Sequence, residues 1–128
     1  MTGAPNPLDG RRILIVEDRY LIASELADKV RRLGARVLGP SPSVANATEI
    51  LAEDTVEAAL LDIDLEGELV YPLAELLDAR GVPFVFVTGF DDETLPPPWR
   101  GRPSLTKPIN INELRRELIA VFQAFGAH

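Results

Sequence analysis

The sequence predicts one doubly wound α/β domain, a five-stranded parallel sheet with helices on both faces. Three observations carry this. Short, almost wholly apolar runs recur along the chain, segments with apolar residues at helical spacing separate them, and carboxylates and other polar groups gather where the runs stop. Strands covered on both faces read as continuous apolar runs, and strand–helix alternation implies parallel pairing through right-handed crossovers.

Near the N-terminus, "RRILIVED" holds the apolar run Ile13 to Val16, a buried strand ending in Glu17 and Asp18. From Arg19 to Leu33 the residues Ile22, Leu26, Val30 and Leu33 keep helical spacing, and Gly34 stops the helix. "ARVLGP" is the second strand. Ser43 opens a helix to about Ala52, with Val44, Ala47 and Leu51 on one face. "VEAALLDID" is the third strand, and Pro72 sits in the first turn of a helix that Gly81 closes. "PFVFVTG" is the fourth strand and "SLT" the fifth. Asn110 or Asn112 begins a last helix with Leu114, Leu118, Val121, Phe122 and Phe125 at helical spacing.

One segment breaks the alternation. "DDETLPPPWRGRP" stands where a fourth helix belongs, and Pro96, Pro97 and Pro98 cannot lie in a helix interior. The fourth helix is therefore expected to be shortened, at most one turn from Asp92 or Glu93, or replaced by an extended, proline-rich connection.

Composition bounds the function. A chain of 128 residues, 46% hydrophobic and 26% charged, fits one soluble domain. Residues 1–10 read as a flexible lead-in, 11–126 as the domain and 127–128 as a tail. There is no cysteine, so thiolate metal sites and disulfides are excluded. A net charge of −7 argues against nucleic acid or an anionic membrane as partner. No apolar run reaches membrane-span length and the first ten residues lack a signal-peptide core, so a cytoplasmic location is expected. The single histidine is His128, the last residue, which leaves histidine acid–base chemistry aside.

The polar residues at the run ends are Glu17, Asp18, Asp62, Thr88 and Lys107, and a parallel sheet gathers its ligands at the carboxyl ends of its strands. Two like charges about 4 Å apart cost roughly 1 kcal/mol in water and about 4 near a protein surface. Clustered carboxylates therefore point to a hard divalent cation, Mg²⁺ above all. Beside such a cation one carboxylate can act as nucleophile toward a phosphoryl group, with Lys107 and the Thr88 hydroxyl neutralising charge on the transferred oxygens. Asp62, last in its buried run, takes the nucleophile role. Asp64 lies past the strand end, its backbone carbonyl within reach of the metal and its side chain facing solvent.

"VED", "LLDIDLEG", "VTG" and "TKP", in this order and at strand ends, resemble the receiver domain of two-component response regulators over roughly Arg11 to Gly126. The resemblance implies a flavodoxin-like receiver fold and Mg²⁺-dependent phosphorylation of Asp62 by a histidine kinase or phosphotransferase protein. It also implies that Glu17, Asp18, Asp62 and the Asp64 carbonyl hold the metal, that Thr88 and Lys107 stabilise the phosphoryl group, and that the Lys107–Pro108 peptide is cis. Such a protein is no enzyme beyond its own phosphorylation and dephosphorylation.

Two features depart from the usual receiver pattern. Ser104 stands where receivers carry an aromatic switch residue, and the proline run displaces the fourth helix. A receiver subgroup with a Phe-Ala-Thr-Gly-hydrophobic-Tyr motif shares both departures, and "FVTGFD" is similar to that motif except at Val87 and Asp91. Phe90 is the candidate switch aromatic, with core cover as its plain alternative. Partners among related histidine kinases of alphaproteobacteria are implied by that resemblance.

Two other readings compete. A haloacid dehalogenase-like phosphatase would make Asp64 a general acid, but its nucleophile strand should come first, and two strand–helix units precede Asp62. A pseudo-receiver would keep the fold as a binding module without phosphorylation. With no output domain after the last helix, signalling is expected through protein–protein contact or phosphorelay to a downstream protein that the sequence does not name. The displaced fourth helix favours a monomer or weak dimer.

Overall fold

A computed structural model describes residues 5–89 and 95–126. Five parallel strands form one sheet: β1 (Arg12–Val16), β2 (Arg36–Ser41), β3 (Ala58–Asp62), β6 (Phe84–Thr88) and β7 (Ser104–Thr106), in the order β2-β1-β3-β6-β7. Two-residue strands β4 (Asp64–Leu65) and β5 (Glu68–Leu69) make a separate antiparallel hairpin directly after β3. The helices are α1 (Tyr20–Arg32), α2 (Val44–Glu53), α3 (Tyr71–Ala79) and α4 (Ile111–Gly126). The five strands expected from the sequence are the five of the sheet, and the doubly wound class holds.

Alternation along the buried strands divides the core into two layers. Leu14, Val16, Ala59, Leu61, Phe84 and Phe86 pack with α2 and α3 residues on one face. Ile13, Ile15, Ala58, Leu60, Val85, Val87 and Leu105 pack with Leu26, Ala27 and Val30 of α1 and Leu114, Leu118 and Val121 of α4 on the other. The starts of α2 and α4 carry the side-chain caps that their sequences suggest. Ser43 accepts from the Asn46 amide, and the Asn110 side chain accepts from the amides of Asn112 and Glu113.

Among the described residues of the connection between β6 and β7, a 3₁₀ turn, Pro97–Trp99, carries Trp99 into the first core layer. Two of the three prolines thus sit in a short turn rather than in extended chain, a correction to the expected polyproline connection. Proline tolerates the first positions of a helical turn because no amide there has a partner to lose. Pro96 itself is extended, with φ −55 and ψ 148. The turn expected near Asp92 or Glu93, like Phe90, lies outside the described residues.

The expectation of a flexible lead-in over residues 1–10 is corrected for 5–10. Leu8 is fully buried, the Asn6 side chain donates to the Leu33 carbonyl, and the Gly10 amide donates to the Gly34 carbonyl. A lone leucine among polar and turn residues has no periodic partner, so its burial leaves no pattern to read.

Lys107–Pro108 is cis, as the resemblance implied, and Gly39–Pro40 is cis as well. Gly39 also has φ +88, and a Cβ there would lie 2.6 Å from the Ser41 amide nitrogen and 3.0 Å from the Ile15 carbonyl oxygen. Only glycine lets β2 pass β1 this closely, and the register between β1 and β2 is irregular at the same place.

Candidate functional site

The strand order puts β1 and β3 side by side at the centre of the sheet, so the residues at their carboxyl ends meet at one edge. β1 leads into Glu17 and Asp18, β3 ends in Asp62, β6 in Thr88, and β7 leads into Lys107. The Lys107 ammonium bridges two of the carboxylates, 2.9 Å from Glu17 Oε1 and 3.1 Å from Asp62 Oδ1. Residues separated by 90 and 45 positions thereby form one part-buried charged group. Glu17 is further fixed by accepting from the Arg19 amide at Oε2 and by donating its own amide to the Ser41 carbonyl. Thr88 is buried, and its carbonyl accepts from the Lys107 amide at 2.8 Å. All five polar residues expected at the sheet edge are therefore there.

The electrostatics are those of an acid cluster short of positive charge. Burial, reinforced by Glu17, pushes the Asp62 carboxyl up to about 6 despite Lys107. Asp18 is raised too, first by burial and then by its proximity to the Glu17 carboxylate. Burial alone would lower the Lys107 ammonium, but its hydrogen bond to Glu17 and the attraction of Asp62 outweigh that and raise it.

The cluster fits a divalent cation. Glu17, Asp18 and Asp62 each offer a carboxylate oxygen, all within 4.8 Å of one another. Among the described residues, the buried side-chain polar atoms with no hydrogen-bond partner are the two carboxylate oxygens of Asp18. Orphaned buried carboxylate oxygens are costly unless a cation takes them, and an all-oxygen set suits Mg²⁺. Magnesium should therefore stabilise the folded chain, by about 2.7 kcal/mol at a free concentration a hundred times its dissociation constant. Thermal unfolding with and without MgCl₂, at matched ionic strength, checks this, and an unchanged midpoint in millimolar Mg²⁺ would count against the metal site.

Asp64 does not join the cluster through its side chain. Its Oδ1 accepts from the Gly67 amide at 3.0 Å and closes the turn of the β4–β5 hairpin. A general-acid role for that carboxylate, required by the phosphatase reading, has no support in this placement. Sequence reasoning missed the hairpin and Ser41. A two-residue strand is too short for any periodicity, and Ser41 acts through its backbone carbonyl, which residue type does not reveal.

Known proteins of similar sequence and structure point the same way. No family model matches the chain. It is 38% identical to SdrG from Sphingomonas melonis Fr1, whose solution structure superposes with a TM-score of 0.79 over 88% of this chain and 97% of that one. It is 31% identical to the signal receiver domain of a modulated diguanylate cyclase from Desulfovibrio desulfuricans G20, with a TM-score of 0.81 over 93% of this chain and 98% of that one. Among curated proteins it is 27% identical over 121 residues to the transcriptional regulatory protein PdtaR of Mycobacterium tuberculosis. That match covers 89% of this chain but 59% of PdtaR.

Proposed function

Because the chain belongs to the receiver domains of two-component response regulators, we propose that it accepts a phosphoryl group on Asp62 from a histidine kinase or phosphotransferase protein. The observation that carries this reading is the placement of Asp62. It ends a fully buried strand, is held by the Lys107 ammonium at 3.1 Å, and offers a carboxylate oxygen within 4.8 Å of one from Asp18, whose oxygens have no hydrogen-bond partner.

In this reading an Asp62 carboxylate oxygen attacks the phosphorus of a phosphohistidine. The P–N bond breaks, its electron pair stays on the imidazole nitrogen, and an acyl phosphate forms. Lys107, now bonded to Asp62, is placed to pair with a phosphoryl oxygen instead, and Thr88 at the end of the neighbouring strand supplies a hydroxyl. Mg²⁺, held by Glu17, Asp18, Asp62 and the Asp64 carbonyl, would supply the positive charge that lets anionic donor and carboxylate approach. The charged product alters the contacts of Lys107 and Thr88, and a downstream protein reads the altered surface. Among the described residues no helix is long and apolar enough to cross a membrane; the proposed role is that of a cytoplasmic monomer or weak dimer.

Intact-protein mass after incubation with Mg²⁺ and a small phosphodonor tests the proposal, with a panel of phosphorylated histidine kinases as second donor. One added phosphoryl group, absent in EDTA, is expected. No labelling by either donor would favour a pseudo-receiver that binds partners in the unmodified state.

A further inference from the structure

The hairpin after Asp62 is tied to a helix that contributes nothing to the acidic cluster. Glu66 and Gly67 turn the chain at φ 52 and φ 88, and the Val70 amide closes the base of the hairpin on the Ile63 carbonyl at 3.0 Å. On the outgoing strand, Glu68 Oε1 accepts from the amide of Val44, the first residue of α2, at 3.1 Å. That amide is one of the donors a helix start leaves unpaired, and α2 has no acidic residue of its own in the first turn. From there a continuous path runs back to the site. The Ser41 hydroxyl donates to the Ser43 carbonyl, and the Ser41 carbonyl accepts from the Glu17 amide.

The two halves of the cluster are thus joined twice. Lys107 connects Glu17 to Asp62 directly, and Glu68 connects the segment after Asp62 to the α2 start and hence to Glu17. The second link persists whatever Lys107 bonds to. We propose that Glu68 is a positioning residue for the metal, latching the Asp62–Asp64 segment against the α2 N-terminus at the spacing a divalent cation needs. This rests on the reading of Glu17, Asp18 and Asp62 as metal ligands. Glu68 itself is exposed and lies outside that ligand set.

The test is Mn²⁺ affinity, read from the electron paramagnetic resonance signal of the free ion at physiological ionic strength. Glu68→Ala removes the acceptor. Val44→Pro removes the donor without changing charge, at a first helical position where proline is tolerated and after an extended Ser43. Groups behind metal ligands typically contribute ten- to a hundredfold in affinity, and for this exposed bond about three- to tenfold weakening is expected in each variant. The double variant should be no weaker than either single one, because both delete the same bond. Glu68→Gln, which keeps an acceptor, should restore binding to within about twofold. Wild-type affinity in Val44→Pro or in Glu68→Ala would overturn the latch, as would additive losses. If the wild-type chain itself fails to bind Mn²⁺, the metal reading falls and the latch with it, an outcome distinct from a latch that fails on a working site.

Discussion

Replacing Asp62 by Asn should abolish phosphoryl labelling and at the same time make the metal-free protein more stable near neutral pH. The two effects share one cause. Asp62 is buried among carboxylates, and its pKa in the folded chain is about 6 against an ordinary value of 3.8. A carboxyl raised in this way holds its proton more tightly folded than unfolded, so its contribution is most favourable below the ordinary pKa. It is lost as pH rises from about 4 to about 6, and above that the ionised group destabilises the fold. The full shift corresponds to at most about 3 kcal/mol, and a gain on the order of 1–3 kcal/mol is expected for Asp62→Asn at pH 7. The gain should shrink toward pH 4, where the wild-type carboxyl is protonated.

Glu57 works in the opposite direction. Burial alone would raise its carboxyl, but Arg11 and the Arg12 amide outweigh burial and lower it, so its contribution is lost as pH falls. The difference between wild type and variant across pH, from denaturant unfolding without divalent ions, isolates the Asp62 effect. A variant less stable than wild type at pH 7 would contradict the electrostatic account of the cluster. Mg²⁺ should narrow the difference, since only the wild type keeps the full ligand set.

Trp99→Ala should be the most damaging substitution among the described residues of the connection between β6 and β7. Trp99 is 7% exposed. It stacks on Tyr71 at 5.9 Å and 11°, and meets the edge of Phe86 at 5.9 Å. Phe84 lies tilted against it at 6.1 Å. The Arg102 guanidinium sits over both the Trp99 and Phe84 rings and forks onto the Asp78 carboxylate at 2.7 and 3.1 Å. Among the described residues of the β6–β7 connection, Trp99 and Leu95 cover β6 in the first core layer, and truncating the indole exposes the Phe84–Phe86 edge of the core. Losses of about 3–5 kcal/mol are typical for such a truncation, and Trp99→Phe should lose less than half of that. Trp99 is the chain's only tryptophan, so unfolding should be followed by far-UV circular dichroism. A loss below about 1 kcal/mol would mean that other residues cover this face.

The sheet was legible because parallel strands buried on both faces must be apolar at every position, as Ala58–Leu61 and Phe84–Val87 are. Any polar residue at the end of such a run stands out, and so Glu17, Asp18, Asp62, Thr88 and Lys107 could be named before their convergence was visible. What stayed hidden depends on geometry that residue type does not encode. The sequence offered Lys107 as a cation for a phosphoryl group, but nothing in it says that the ammonium bridges Glu17 and Asp62 in the resting chain. Glu68 reads as one more surface acid until α2 brings the Val44 amide to it. Leu8 lacks periodicity altogether, and only its burial identifies it as core.

The most direct measurement is the position of the phosphoryl group on the labelled protein. Borohydride reduces an acyl phosphate to the corresponding alcohol, so tandem mass spectrometry of the reduced, digested chain identifies the residue that carried it. Homoserine is expected in place of Asp62 and at no other position. Reduction at Glu17, at Asp18 or at a residue outside the cluster, or a labelled Asp62→Asn variant, would contradict the assignment of Asp62 as phosphoacceptor.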